Sequence, residues 1–251
     1  MPQKLIVIEL NEVPLRLLQH YSKLKPSSSI AHLLEKSLVL KTLASDVAVD
    51  DLYPSQTWAS FNTGVSYQDH QVHWYNDPKP DNYPMYWKVV ANSKLSVGLV
   101  NTLHSSPASK FSKDGNYKFI IPDCFSPDPF TLPSYYQSFQ TLNLQATNSN
   151  SRVTTLEIPY DELIRSIPHF YKFGVTTKTV IEGARLLFNI FTKKVSKERL
   201  RGLQFPLLAD IFLHQLQSSH PDLSIFFTNH IAANMHRYWY ALFPNDYSDK
   251  M

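Results

Sequence analysis

Short apolar runs that each end at a polar amide are the feature that most constrains this chain. Residues 4–10 read Lys-Leu-Ile-Val-Ile-Glu-Leu and are followed by Asn11, and residues 223–228 are followed by Asn229. Residues 94–101 also end with an asparagine. Nearly continuous apolar, β-branched runs of this length are typical of strands buried on both faces of a parallel sheet. Ligands bind such sheets beyond the carboxyl ends of the strands, so the pattern predicts a site that includes these amides.

Helical spacing between these runs predicts the layers that cover the sheet. Two further strands are predicted at residues 37–44 and 118–122. The predicted helical segments are residues 11–21 with Pro14 in the first turn, residues 29–36, residues 57–62, and most of residues 159–217. Strands that alternate with helices predict an α/β protein with a doubly wound, mostly parallel sheet and helices on both faces.

Length and composition fit one domain. The chain has 251 residues, of which 43% are hydrophobic and 18% charged, as in an ordinary globular domain. A single α/β domain over residues 1–251 is therefore expected. Residues 125–151 are rich in Ser, Pro, Asn, Gln and Tyr. This change of composition predicts a polar insertion or a lid.

Charge and apolar patterning exclude several classes of protein. The net charge is only +3 and forms no basic stripe, so no nucleic-acid partner is expected. The basic run at residues 193–201 fits a solvated helix face, with an anionic partner as the alternative. No window approaches 18 uninterrupted apolar residues, and the first apolar run is too short for a signal peptide. We therefore expect no transmembrane segment and a cytoplasmic protein. The single cysteine, Cys124, allows no internal disulfide and is expected to act as a small buried hydrophobic residue.

A hydroxyl-rich segment carries the strongest functional motif. Its defining residues are Pro54, Thr57-Trp58, Thr63-Gly64 and His70. This pattern resembles the nucleophile segment of the alkaline phosphatase superfamily, especially its type I phosphodiesterase and nucleotide pyrophosphatase branch. The resemblance implies that Thr57 is a nucleophile that binds one or two divalent metal ions, usually zinc. These ions would lower the pKa of its hydroxyl for attack on phosphorus. The spacing from Thr57 to Gly64 is shorter than in that branch, which leaves Ser55 as an alternative nucleophile. A helix N-cap is the structural alternative for Thr57.

The same resemblance implies metal ligands at two other strand ends. Asn11 stands where the family has its first metal-binding Asp, and Glu9 or Glu12 would supply the missing negative charge. A helix cap is the other interpretation of Asn11. After the last strand, the implied ligands are Asn229, His230 and His236. Arg237 would clamp the phosphate of the substrate.

A later Asp-His element of the family has no counterpart after residue 230. The chain is therefore interpreted as a partial or truncated member, whose C-terminal part is missing and whose second metal site is incomplete.

Two functions follow from these residues. The first is a metal-dependent phosphodiesterase or phosphatase that acts on a phosphate ester through Thr57. The second is a catalytically inactive relative that binds a phosphorylated or sugar ligand in the same cleft. A set of aromatic residues either lines a sugar site or packs in the core: Tyr67, His73, Trp74, Tyr75, Tyr83, Tyr86 and Trp87.

Overall fold

A four-stranded, all-parallel sheet organises the protein. The computed structural model describes residues 4–42, 52–78, 81–148 and 160–247. The strands are β1 (Leu5–Leu10), β2 (Val97–Val100), β3 (Tyr117–Ile121) and β4 (Leu223–Thr228), in the spatial order β1-β4-β2-β3. All three pairings are parallel, with Phe226 of β4 opposite both Ile8 and Val100. The predicted α/β class with a parallel sheet is confirmed.

Each strand is followed along the chain by one or more helices. The α-helices are α1 (Leu15–Leu24), α2 (Ser29–Lys36), α3 (Pro54–Thr63), α4 (Tyr67–His70), α5 (Tyr86–Asn92), α6 (Ala108–Phe111), α7 (Gln137–Asn148), α8 (Tyr160–Ser166), α9 (Phe170–Phe173), α10 (Thr177–Phe191), α11 (Gln204–Ser219) and α12 (His230–Leu242). Short 3-10 segments lie at Ser134–Tyr136, Ile167–His169, Lys197–Leu203 and Pro244–Asp246.

Two apolar clusters cover opposite faces of the sheet, because side chains alternate along each strand. One cluster joins Val100, Phe119 and Phe226 to residues of α7, α9 and α11. The other joins Leu99 and Ile225 to residues of α5 and α6. Burial on both faces explains why β2 and β4 read as continuous apolar runs rather than as alternating ones. The edge strand β1 has an equally apolar sequence, but its Leu5, Ile6 and Ile8 side chains are exposed among the described residues.

The N-terminal part departs from the predicted boundaries. Helix α1 begins at Leu15 and not at Asn11, because Pro14 has an extended backbone and serves as the N-cap residue. Asn11 is therefore not the cap of this helix, which corrects that alternative. Helix α2 matches its predicted range, and the Ser28 side chain caps it by accepting a bond from the Ala31 amide.

The strand predicted at residues 37–44 is wrong over its described part. Residues 37–42 have no regular structure, and residues 43–44 lie outside the described residues. Leu38 and Leu40 are 85% and 76% exposed. An apolar, β-branched sequence forms a strand only where a neighbouring strand pairs with it, and β1 pairs only with β4 in the described chain.

Helix α3 begins three residues earlier than predicted. Pro54 takes the first helical position and Tyr53 is the N-cap residue. Thr57 therefore lies inside the helix, and the N-cap alternative for Thr57 is wrong. Proline is well suited to this start, because its missing N–H is one that the first turn leaves unpaired.

The polar segment at residues 125–151 is partly helical. Its described part includes α7, and Tyr136 and Phe139 of this segment are buried in the core. Residues 149–151 lie outside the described residues, and a lid role for the segment stays a prediction. The predicted helical character of residues 159–217 is confirmed from residue 160 onward.

Candidate functional site

Three asparagines meet a cleft at the carboxyl edge of the sheet. Asn11, Asn101 and Asn229 follow β1, β2 and β4, and all three line a cleft of about 540 Å³. Because parallel strands end at the same edge, residues far apart in sequence are brought together there. The position of the cleft agrees with the general rule for ligand sites in open α/β sheets.

A chain of hydrogen bonds joins three segments that the sequence singled out. The indole Nε1 of Trp58 donates to the Asn11 side-chain oxygen at 2.8 Å. The Asn11 amide Nδ2 donates in turn to the Asn229 side-chain oxygen at 2.7 Å. The segments around residues 11, 57 and 229 therefore converge. The side chain of the motif that joins this hydrogen-bond network is Trp58 and not its neighbour Thr57.

Glu12 and His236 form a second contact beside this network. The His236 Nε2 atom lies 2.8 Å from a Glu12 carboxylate oxygen. Glu12 has a positive φ of 54°, and Asn101 and His104 at the end of β2 have φ values of 56° and 64°. Gln71, Lys94, Lys193 and His220 also have positive φ values and do not line the cleft, so this conformation does not by itself mark the site.

Neither candidate hydroxyl is among the residues that line the cleft. Thr57 is exposed, and its hydroxyl donates to the Tyr53 carbonyl at 3.0 Å. Ser55 is buried, and its hydroxyl donates to the His73 carbonyl at 2.6 Å. Both hydroxyls therefore donate to nearby backbone carbonyls outside the cleft lining.

Glu9 lies inside the protein and away from the cleft lining. It is 3% exposed, and neither carboxylate oxygen has a hydrogen-bond partner. Burial raises the pKa of Glu9 from its ordinary value of 4.5 to about 8. Burial is the main cause that raises the pKa of Tyr86, and the negative charge of ionised Glu9 raises it further. Glu9 is therefore protonated at neutral pH and is a poor ligand for a cation.

Two arginines and a histidine also line the cleft. Arg199, His230 and Arg237 line it, and Glu182 is the one carboxylate among the described lining residues. The Arg199 guanidinium lies 5.8 Å from the centre of the Tyr238 ring. His230 stacks on Phe205 at 5.5 Å, and burial lowers the pKa of His230.

These donors do not fit the metal centre that the resemblance implies. The side-chain oxygens of Asn11 and Asn229, which would bind a metal, both accept hydrogen bonds from N–H groups. Within residues 4–42, 52–78, 81–148 and 160–247, no three His, Cys, Asp or Glu side chains are grouped to hold an ion. Hard divalent ions require several oxygen ligands, and zinc sites need three or four donors.

Only Tyr75 of the aromatic set lines the cleft, and Trp74 is 55% exposed outside it. Trp87 is fully buried in the core, as the packing alternative predicts. Tyr75 lines the cleft and stacks on Phe125 with ring centres 4.0 Å apart. Cys124 also lines the cleft and is half-buried, so it is more accessible than the sequence predicted.

Three contributors to the site were missed by sequence reasoning. Trp58 entered only as part of the nucleophile motif, and Glu12 only as a substitute ligand. Arg199 belongs to the basic run at residues 193–201, which was assigned to a solvated face. That run lies just after α10. It was the signal in the sequence that could have predicted positive charge at the cleft.

The fold and the cleft define an α/β protein with a cleft at the carboxyl edge of a parallel sheet. Comparison of the chain with protein-family models, curated proteins and solved structures found no match. The resemblance to the alkaline phosphatase superfamily therefore stays a prediction from the residues that carry it.

Proposed function

We propose that this chain is a binding protein that holds a phosphorylated small molecule, such as a sugar phosphate, in the cleft. The balance of charge on the cleft wall carries this proposal. Arg199 and Arg237 line the cleft together with a single described carboxylate, Glu182. A concave site with this balance attracts an anion and disfavours a divalent cation.

The polar groups suit a phosphate ester. The planar guanidinium of Arg237 can donate two parallel hydrogen bonds to phosphate oxygens. The pKa of His230 lies below its ordinary value of 6.5 because of burial, so the ring is neutral at neutral pH and can donate one hydrogen bond. Arg199 adds a further charged donor to the cleft lining.

The remaining lining suits the organic part of such a ligand. Tyr75, Phe125 and Phe205 supply aromatic surface, and the side-chain amides of Asn101 and Asn229 supply hydrogen-bonding groups. The cleft volume of about 540 Å³ lies within the range of about 300 to 1,000 Å³ that is usual for small-molecule sites.

Titration with glucose-6-phosphate, and with glucose as the matched ligand without phosphate, tests this proposal by calorimetry. We expect binding of the phosphate ester only. Arg237→Ala should weaken it by about tenfold to a hundredfold, because a hydrogen bond to a charged group contributes about 1.5–3 kcal/mol. Arg185→Ala is the control, since Arg185 is exposed on α10 and is not among the lining residues.

Equal affinity for glucose and its phosphate would contradict the proposal. So would an Arg237→Ala variant that binds as tightly as the unchanged protein. Arg237→Lys keeps the charge without the planar donor pair, and we expect it to fall between the two.

Hydrolysis through Thr57 is the competing function, and the same protein can be tested for it. The assay uses bis(para-nitrophenyl) phosphate with added zinc, for the unchanged protein and for Thr57→Ala. Zinc-dependent hydrolysis that disappears in Thr57→Ala would establish the enzyme and overturn a role in binding alone. The exposed position of Thr57 outside the cleft lining leads us to expect no such activity.

A further inference from the structure

Helix α10 separates the cleft from an exposed apolar surface. Glu182 and Leu186 of this helix line the cleft. On another side, Ile181 and Phe188 are each 61% exposed and Phe191 is 87% exposed. These three residues and Ala184 have spacings of three and four, so they form one stripe along the helix. We call Ile181, Ala184, Phe188 and Phe191 the outer stripe.

Positive charge accompanies the outer stripe. Lys178 and Arg185 flank it on the helix, and Lys193 and Lys194 follow its C-terminal end. Residues 177–194 contain four Lys or Arg and one Glu, a net charge of +3 in a chain of net charge +3, so the other residues sum to zero. The positive charge of the protein is therefore concentrated beside its most exposed phenylalanines.

We propose that the outer stripe docks on the surface of an anionic lipid bilayer. An amphipathic helix with aromatic residues on one face and Lys or Arg beside them lies in the interface between lipid and water. The phenylalanines enter the acyl boundary, and the cations meet the acidic head groups. No helix among the described residues is long and apolar enough to span a bilayer.

Charge distinguishes this occupant from a second copy of the chain. Two copies that met through their outer stripes would bring the same cations together, and like charges at short range repel. An acidic lipid surface instead complements these cations. The proposal is independent of the ligand assigned to the cleft, because the outer stripe is not among the residues that line it.

Co-sedimentation of the full chain with vesicles tests the apolar part of the proposal. The vesicles contain phosphatidylcholine alone or phosphatidylcholine mixed with phosphatidylglycerol. We expect at least tenfold stronger partition onto the acidic vesicles and at least a tenfold loss in Phe188→Ser/Phe191→Ser. Leu38→Ser/Leu40→Ser is the matched control, because it also removes two highly exposed apolar side chains.

A second pair of variants tests the electrostatic part. Lys193→Gln/Lys194→Gln should weaken the partition and reduce its dependence on salt, whereas Lys23→Gln/Lys25→Gln on and beside α1 should not. Equal binding to both vesicle types, no binding to either, or equal losses in the control variants would overturn the proposal. So would sedimentation velocity that shows a dimer of the unchanged protein and a monomer of Phe188→Ser/Phe191→Ser.

Discussion

Replacing Glu9 by Gln is expected to stabilise the protein at alkaline pH and to leave its stability nearly unchanged at pH 4. Glu9 is buried without a hydrogen-bond partner, and its pKa is raised from 4.5 to about 8. Below pH 4.5 the side chain is neutral in both the folded and the unfolded chain. As the pH rises from 4.5 to about 8, the unfolded chain loses this proton while the folded chain keeps it, so stability falls.

The expected size follows from the displacement of the pKa. One pKa unit corresponds to about 1.4 kcal/mol, so the loss of stability that Glu9 causes should reach about 3–5 kcal/mol above pH 8. Glutamine has nearly the same shape and no charge, so Glu9→Gln should recover most of this amount. Urea unfolding at a series of pH values measures the difference.

Glu35→Gln is the matched control for Glu9→Gln. Glu35 lies on α2 with its side chain 76% exposed, and its replacement should change stability little at any pH. A difference between Glu9→Gln and the unchanged protein that is the same at pH 4 and pH 9 would show that Glu9 does not titrate as its burial implies.

Gly98→Ala is expected to destabilise the protein by about 3 kcal/mol through overpacking of the core. Gly98 lies in β2, between β4 and β3. A Cβ atom at this position would lie 2.1–2.6 Å from three atoms of the Phe119 ring. Phe119 is fully buried, so its ring or the strand must shift.

Two further variants establish the cause by urea unfolding. Gly183→Ala lies in α10, where the nearest atom to the new methyl group is at 3.7 Å, and it should stabilise by about 0.5–1 kcal/mol through helix propensity. Gly98→Ala/Phe119→Leu removes ring atoms at the site of the clash and should destabilise by clearly less than the sum of its single changes. Strict additivity would indicate that the ring is not the cause.

The strands were predictable because short apolar, β-branched runs are a local signal in the sequence. The four apolar runs at residues 4–10, 94–101, 118–122 and 223–228 each overlap a strand, and every predicted end lies within three residues of the observed one. Residues 37–42 carry a similar signal without forming a strand. The difference lies in pairing, which depends on distant residues and leaves no trace in a short sequence window.

The candidate site was predictable in its location and less so in its chemistry. Asparagines that end the strands pointed to the carboxyl edge, and Asn11 and Asn229 are in direct contact there. The motif directed attention to Thr57, whereas Trp58 reaches the network. Successive residues of a helix point in different directions, so a shift of one position changes which side chain meets the site.

The amino-acid sequence by itself determined a layered α/β protein, because apolar periodicity and strand-ending amides are local properties of the chain. Only the tertiary structure decided which charges and which free hydrogen-bonding groups the cleft presents. It placed Arg199 and Arg237 on the cleft wall, buried Glu9 as a neutral acid, and engaged the asparagine oxygens with N–H donors. Charge and hydrogen-bond state depend on which distant groups become neighbours, and only the packed chain establishes those neighbours.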